Sequence, residues 1–153
     1  MFEKLKRTLL RIHQNGGPFH PTILVFATGQ LSDVDCIPMP RDPAPEIGQQ
    51  FGKALVQDLE DALKVNSSIH DGAILFQRSR QDEVYYLSAW SMRIVSQHKP
   101  VFSEPNMGSA YNSTLALSMS TTVDACCILS PEKVVFFVDG QAANLKAIPQ
   151  SQA

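Results

Sequence analysis

Apolar residues recur along this chain with two different periods. In the N-terminal stretch MFEKLKRTLLRI, Phe2, Leu5, Leu9 and Ile12 fall three to four residues apart with charged residues between them, which predicts an amphipathic helix. Gly16, Gly17 and Pro18 in NGGPFHP supply turn chemistry. TILVFATG then predicts a strand from Thr22 to Ala27, closed by Gly29. Pro38 and Pro40 confine VDCIPMP to a sheet edge or end it as a strand. The Pro-rich RDPAPE leads into the most regular helical pattern of the chain. Ile47, Phe51, Leu55, Leu59, Ala62 and Leu63 predict a helix from Glu46 to Val65.

Asn66, Ser67 and Ser68 stop that helix, and IHDGAILF begins a strand. EVYYLSAW predicts a second strand, Glu83 to Trp90, with QRSRQDE as the hairpin connection. SMRIVSQHKPVFSEPNMG shows no period and reads as a long loop, of a length that is often functional inside a domain. SAYNSTLALSMS has helical spacing through Tyr111, Leu115 and Met119. VDACCILS and VVFFVDG are strands joined by the turn SPEK. The order α-β-β-α-β-β-α-β-β predicts an α/β fold with a mixed central β-sheet flanked by helices. The predicted organisation is an N-terminal amphipathic helix over residues 1–16, one domain over 17–148 and a tail over 149–153.

Composition narrows the function classes. At 153 residues, 44% hydrophobic and 18% charged, the chain suits one globular domain with a single sizeable core. A net charge of −2 gives no reason to expect nucleic-acid or membrane binding, although a small anionic ligand needs only local positive charge. No apolar run approaches the ~20 residues of a transmembrane helix. Cys36, Cys126 and Cys127 lack CxxC spacing, so they read as reduced thiols of a cytoplasmic protein and not as a zinc site.

The candidate chemistry is local. His70 and Asp71 sit at the mouth of a buried strand, where α/β proteins tend to hold ligands. The pair can contact a divalent metal or orient a hydroxyl, and Gly72 allows a ligand close to the backbone. An ordinary turn into a strand has the same pattern. Gly108, Ser109 and Asn112 open a predicted helix whose N–H groups suit a phosphate, or Ser109 simply caps it. Ser130 and Glu132 in SPEK lie in a turn that could contact a phosphate or metal or be structural only. Trp90 and the Tyr85–Tyr86 pair offer stacking surfaces or core. His13, His20, His70 and His98 form no recognisable metal spacing, and no Walker, GxSxG, HExxH or GxGxxG motif is present.

Taken in order, these parts resemble the diadenylate cyclase domain family, whose members make cyclic di-AMP. SSIHDGAILF, a second strand and then GSAYNSTLALSMSTTVDACCILSPEKVVFFVDG follow that family's succession over roughly Thr22 to Leu145. The resemblance implies a diadenylate-cyclase-like fold, with Asp71 engaging ribose and metal and Gly72 and Ala73 backing the nucleotide. It implies a phosphate grip that keeps Gly108 and Ser109, with Asn112 a candidate only from the helix-start reading, and further contacts from Ser130. It also implies metal contacts from Asp71 and Glu132, to which His70 is a candidate addition, with Mg or Mn when a nucleotide is bound. The family's GTRHR is GSAYN here, so Ala110, Tyr111 and Asn112 stand where Arg, His and Arg are expected. Pro131 replaces the first Glu of the family's SEE. Arg93, Lys99 and Lys133 are the nearby cations that could compensate. The expected reading is a non-catalytic nucleotide sensor or pseudoenzyme whose partner is a nucleotide or other small molecule and which could act as a homo-oligomer. The alternatives are a divergent active cyclase working on ATP, and an interaction domain with a vestigial pocket that uses its N-terminal helix.

Overall fold

A strand buried on both faces must supply apolar side chains to each, and the run LVFA does so. Leu24 and Phe26 enter one core layer while Val25 and Ala27 enter the other. The computed structural model describes residues 2–146, so the predicted tail over 149–153 lies outside the described residues. The elements are α1 (Glu3–Gln14), β1 (Thr22–Thr28), β2 (Cys36–Pro38), α2 (Leu55–Val65), β3 (Ala73–Arg78), β4 (Tyr86–Ile94), α3 (Ser109–Leu117), β5 (Val123–Leu129), β6 (Val134–Val138) and β7 (Gln141–Leu145). They form a seven-stranded sheet in the order β2-β4-β3-β1-β5-β6-β7. β1 and β3 are parallel and every other pair is antiparallel. This is an α/β fold with a mixed sheet, as the element order predicts.

Helices cover both faces. Leu9 and Ile12 of α1 and Leu55, Leu59 and Ala62 of α2 pack on one side with Ile74, Phe76 and Phe136. Leu115 and Leu117 of α3 pack on the other with Leu75, Cys126 and Phe137. Each such side chain contributes about 1.5–3 kcal/mol on burial. The apolar stripe of α1 is therefore part of the main core.

Three sequence expectations change. The helix predicted from Glu46 begins only at Leu55. Residues 46–54 instead run beside the start of β4: Gly48 N–H donates to Leu87 O at 2.8 Å, Leu87 N–H to Gln49 O at 2.8 Å, and Phe51 N–H to Tyr85 O at 2.9 Å. Gly48 has φ +102°, which a helix cannot include. Phe51 fits the helical spacing only by coincidence, since its ring meets Phe26 edge-on at 4.9 Å and Phe76 at 5.1 Å. The second strand is Tyr86–Ile94 and not Glu83–Trp90, so SMRI belongs to the sheet and the loop is shorter than expected. β7, QAANL, was not expected at all; it is an edge strand with almost no apolar signal.

At one end of the sheet a charged network joins β1, β3, β5 and the β3–β4 hairpin. Asp124 Oδ2 accepts from Thr28 Oγ1 at 2.6 Å and Tyr85 OH at 2.7 Å, and lies 3.4 Å from Arg78 Nη2. The Arg78 and Asp124 side chains are only 13% and 12% exposed. Arg78 Nε donates to Thr28 Oγ1, and its guanidinium lies over the Tyr85 ring. Burial, reinforced by Asp124, pushes the Tyr85 phenol above its ordinary range, which keeps it a hydrogen-bond donor.

At the opposite end Gly72 leads into β3 with φ +94°. A Cβ there would stand 2.6 Å from Met39 Cε and 2.9 Å from the Ser91 carbonyl carbon. Only glycine allows this approach of the β3 mouth to β4.

Two outcomes are expected in urea unfolding. Asp124→Ala lowers stability by about 3–5 kcal/mol, because it strands a largely buried guanidinium; a loss under 1 kcal/mol would contradict a coupled network. Gly72→Ala costs at least about 2 kcal/mol from backbone strain and overpacking, and a neutral result would mean that the mouth of β3 relaxes freely.

Candidate functional site

Strand polarity gathers the candidate residues. Ile23 pairs with Ala73 on one side and Ile128 on the other, while Thr22 pairs with Leu129. Asp71 and Gly72 therefore precede β3 at the same end of the sheet at which Ser130 follows β5. With strands about 4.8 Å apart, β1 separates the two by roughly 10 Å.

The HDGA segment is shaped by its own backbone. Asn66 ends α2 and its Oδ1 accepts from Ser68 N–H at 3.0 Å, which starts a 3-10 turn over Ser67–His70. His70 Nδ1 lies 2.6 Å from Ser67 O, so this nitrogen carries the proton and Nε2 is left outward. Asp71 is exposed, Gly72 is half-buried, and Ala73 is fully buried in the sheet. The residue beside Asp71 is one that sequence reasoning passed over: Arg41, with Nη2 4.0 Å from Asp71 Oδ2. Arg41 lay hidden in the Pro-rich RDPAPE because its partners come from residues 30 and 50 positions away.

At α3 the N-cap is Gly108, in extended conformation and with no side-chain cap bond, so Ser109 is the first helical residue and does not cap. Asn112 Nδ2 donates to Met107 O at 3.2 Å. Tyr111 is half-buried and meets Phe137 edge-on at 5.2 Å. Burial, with Glu104 nearby, raises its phenol above the ordinary range. The segment AYN thus presents no cation at this helix end.

The SPEK turn has structural work. Ser130 N–H and Oγ both donate to Lys133 O, at 3.0 and 3.2 Å, and Ser130 O lies 2.8 Å from His13 Nε2 of α1. Glu132 is exposed at the tip of the turn. His70, Asp71 and Glu132 do not form a metal-binding cluster: among the described residues no three or more His, Cys, Asp or Glu side chains converge to hold an ion.

The other candidates separate. Trp90 is 8% exposed with Nε1 donating to Glu46 O at 2.8 Å, and Tyr85 is tied to Asp124, so both belong to the core. Tyr86 is exposed. Arg93 and Lys99 are exposed and Lys133 lines a cavity of about 860 Å³ between α3, β6, β7 and the loop before α3. Of the sequence-predicted site residues, Asn112 alone lines this cavity.

No protein-family model matches the chain. No curated protein matches it in sequence either. Solved structures do resemble it. A hypothetical membrane spanning protein from Bacillus cereus aligns over 94% of this chain at 13% identity and a TM-score of 0.61. This chain spans 62% of that protein's length. DacA from Staphylococcus aureus, a diadenylate cyclase, aligns over 93% of this chain and 86% of its own at 18% identity and a TM-score of 0.58. Among the described residues no helix is long and apolar enough to cross a membrane. At these identities the likeness is one of architecture, and this chain has a distant diadenylate-cyclase-like fold.

Proposed function

We propose that this domain is a non-catalytic nucleotide-binding sensor, a pseudoenzyme built on a diadenylate-cyclase-like fold. The observation that carries the reading is the contrast between two separate candidate segments, the HDGA turn and the start of α3. The HDGA turn keeps an exposed carboxylate at Asp71 beside a glycine that no other residue can replace without a clash against Ser91. The start of α3 offers only Ala110, Tyr111 and Asn112, with Tyr111 half-buried against Phe137 at the wall of the cavity of about 860 Å³.

Joining nucleotides through phosphoryl transfer depends on positioning and on stabilising negative charge. Each missing charge-assisted contact to phosphate costs about 1.5–3 kcal/mol. Two absent arginines therefore cost roughly two to four decades in rate. A ribose contact through Asp71 needs neither arginine. Asp71 accepts from sugar hydroxyls in this reading, and Gly72 and Ala73 let the ligand lie against the backbone. The three free thiols suit a reducing, cytoplasmic setting.

The test is calorimetry of the purified chain with ATP, GTP, cyclic di-AMP and nucleosides, with and without Mn, followed by chromatography for products. Saturable binding without turnover is expected, and Asp71→Ala weakens it about tenfold or more. A cyclic dinucleotide product would replace the sensor reading with that of an active cyclase. Binding that is unchanged in Asp71→Ala would remove the pocket from the HDGA turn, and no binding of any compound would favour an interaction domain.

A further inference from the structure

The guanidinium beside Asp71 is held in place by groups other than Asp71. Arg41 Nε donates to Ser91 Oγ at 3.2 Å and Nη1 to Pro40 O at 2.9 Å. Ser91 Oγ in turn donates to Ile69 O at 3.3 Å, and Ser91 is the residue whose backbone closes on Gly72. Arg41 is thus anchored directly to Ser91 of β4 and, through Ser91, to the turn that precedes β3. Its side chain is 18% exposed, whereas that of Asp71 is 72% exposed. The 4.0 Å from Nη2 to Asp71 Oδ2 is too long for a hydrogen bond. An ion pair with so exposed a carboxylate contributes little to stability. The fork is therefore fixed by neutral acceptors, and Nη2 is directed at the space next to Asp71.

A guanidinium in that position, with one N–H pair not committed to the protein's own acceptors, suits a phosphate oxygen. We propose that Arg41 is the anion-binding residue of this site, so that the preferred ligand is a compact nucleotide, a nucleoside monophosphate or cyclic nucleotide, held without a divalent ion. The inference rests on the reading of Asp71 as the ribose contact. A hydroxyl bonded to Asp71 and a phosphate oxygen bonded to Arg41 stand within about 10 Å of each other, given hydrogen bonds of about 2.8 Å added to the separation of the two side chains. One nucleoside phosphate spans that distance. The guanidinium also supplies the positive charge beside Asp71 and disfavours a metal ion there by like-charge repulsion.

Titration calorimetry with adenosine, AMP and ATP, in EDTA and in Mn, tests this on the wild type, Arg41→Gln and Arg41→Lys. AMP is expected to bind the wild type about ten- to a hundredfold more tightly than adenosine, in EDTA as in Mn. Arg41→Gln should erase that preference and leave adenosine affinity within about twofold, while Arg41→Lys should retain part of it. Thermal melts of the free variants establish that they are folded; if Arg41→Gln melts early, the several-fold loss of AMP affinity in Arg41→Lys, with adenosine unchanged, carries the test. A preference for AMP that survives Arg41→Gln, is absent in the wild type or requires Mn overturns the assignment of Arg41 alone. Failure of every nucleoside and nucleotide to bind overturns the Asp71 reading and this inference together.

Discussion

The pairing of β1 with β3 is the constraint on which the rest of the molecule depends. These two strands are parallel, so the chain leaving β1 must return across the sheet before β3 begins. The return passage contains β2, the extended segment 46–54 and α2, and it delivers the 3-10 turn and Asp71 to the end of the sheet where β1 starts. β5 is antiparallel to β1 and finishes at that same end, which brings the SPEK turn there. Every candidate at the HDGA mouth owes its position to this polarity. Because both strands are covered on both faces, a slip of one residue would exchange their two sets of apolar side chains, and the register is correspondingly fixed.

The two ends of the sheet are stabilised differently. At the far end, Asp124 collects donors from Thr28, Tyr85 and Arg78, a satisfied network that locks three strands and a hairpin. At the HDGA end the chain closes by shape: Gly72 against Ser91, with Arg41 bonded to Ser91. The charge that is concentrated and paired at one end is left partly facing solvent at the other, where Asp71 is open. The satisfied network at the far end holds the strands together while the open end keeps an exposed carboxylate and a glycine in a backbone conformation other residues rarely adopt.

The legibility of the sequence followed the range of the forces involved. Residues 123–138 were readable because strand, tight turn and strand are local, and both strands are apolar enough to declare themselves. The HDGA lead-in was readable for the same reason. The start of α2 was not, since Ile47 and Phe51 imitate a helical repeat while the backbone of Gly48 and Phe51 bonds to β4, which lies far along the chain. β7 escaped notice because an exposed edge strand needs little apolar surface. Arg41 could not be found from spacing, its contacts being to Ser91 and Asp71, and the structural duty of Ser130 toward His13 spans 117 positions.

The adjacent cysteines of β5 acquire a meaning from the alternation of strand side chains. Cys127 belongs to the layer under α1 and α2, and Cys126 to the layer under α3. Both are fully buried, and that burial pushes each thiol well above its ordinary range. A thiolate forms on either only after its own layer has lifted from the sheet. Two neighbouring atoms of sulfur therefore act as separate clocks for the opening of the two halves of the core, and a labelling experiment resolved by residue would reveal whether helices on opposite faces leave the sheet together or in turn.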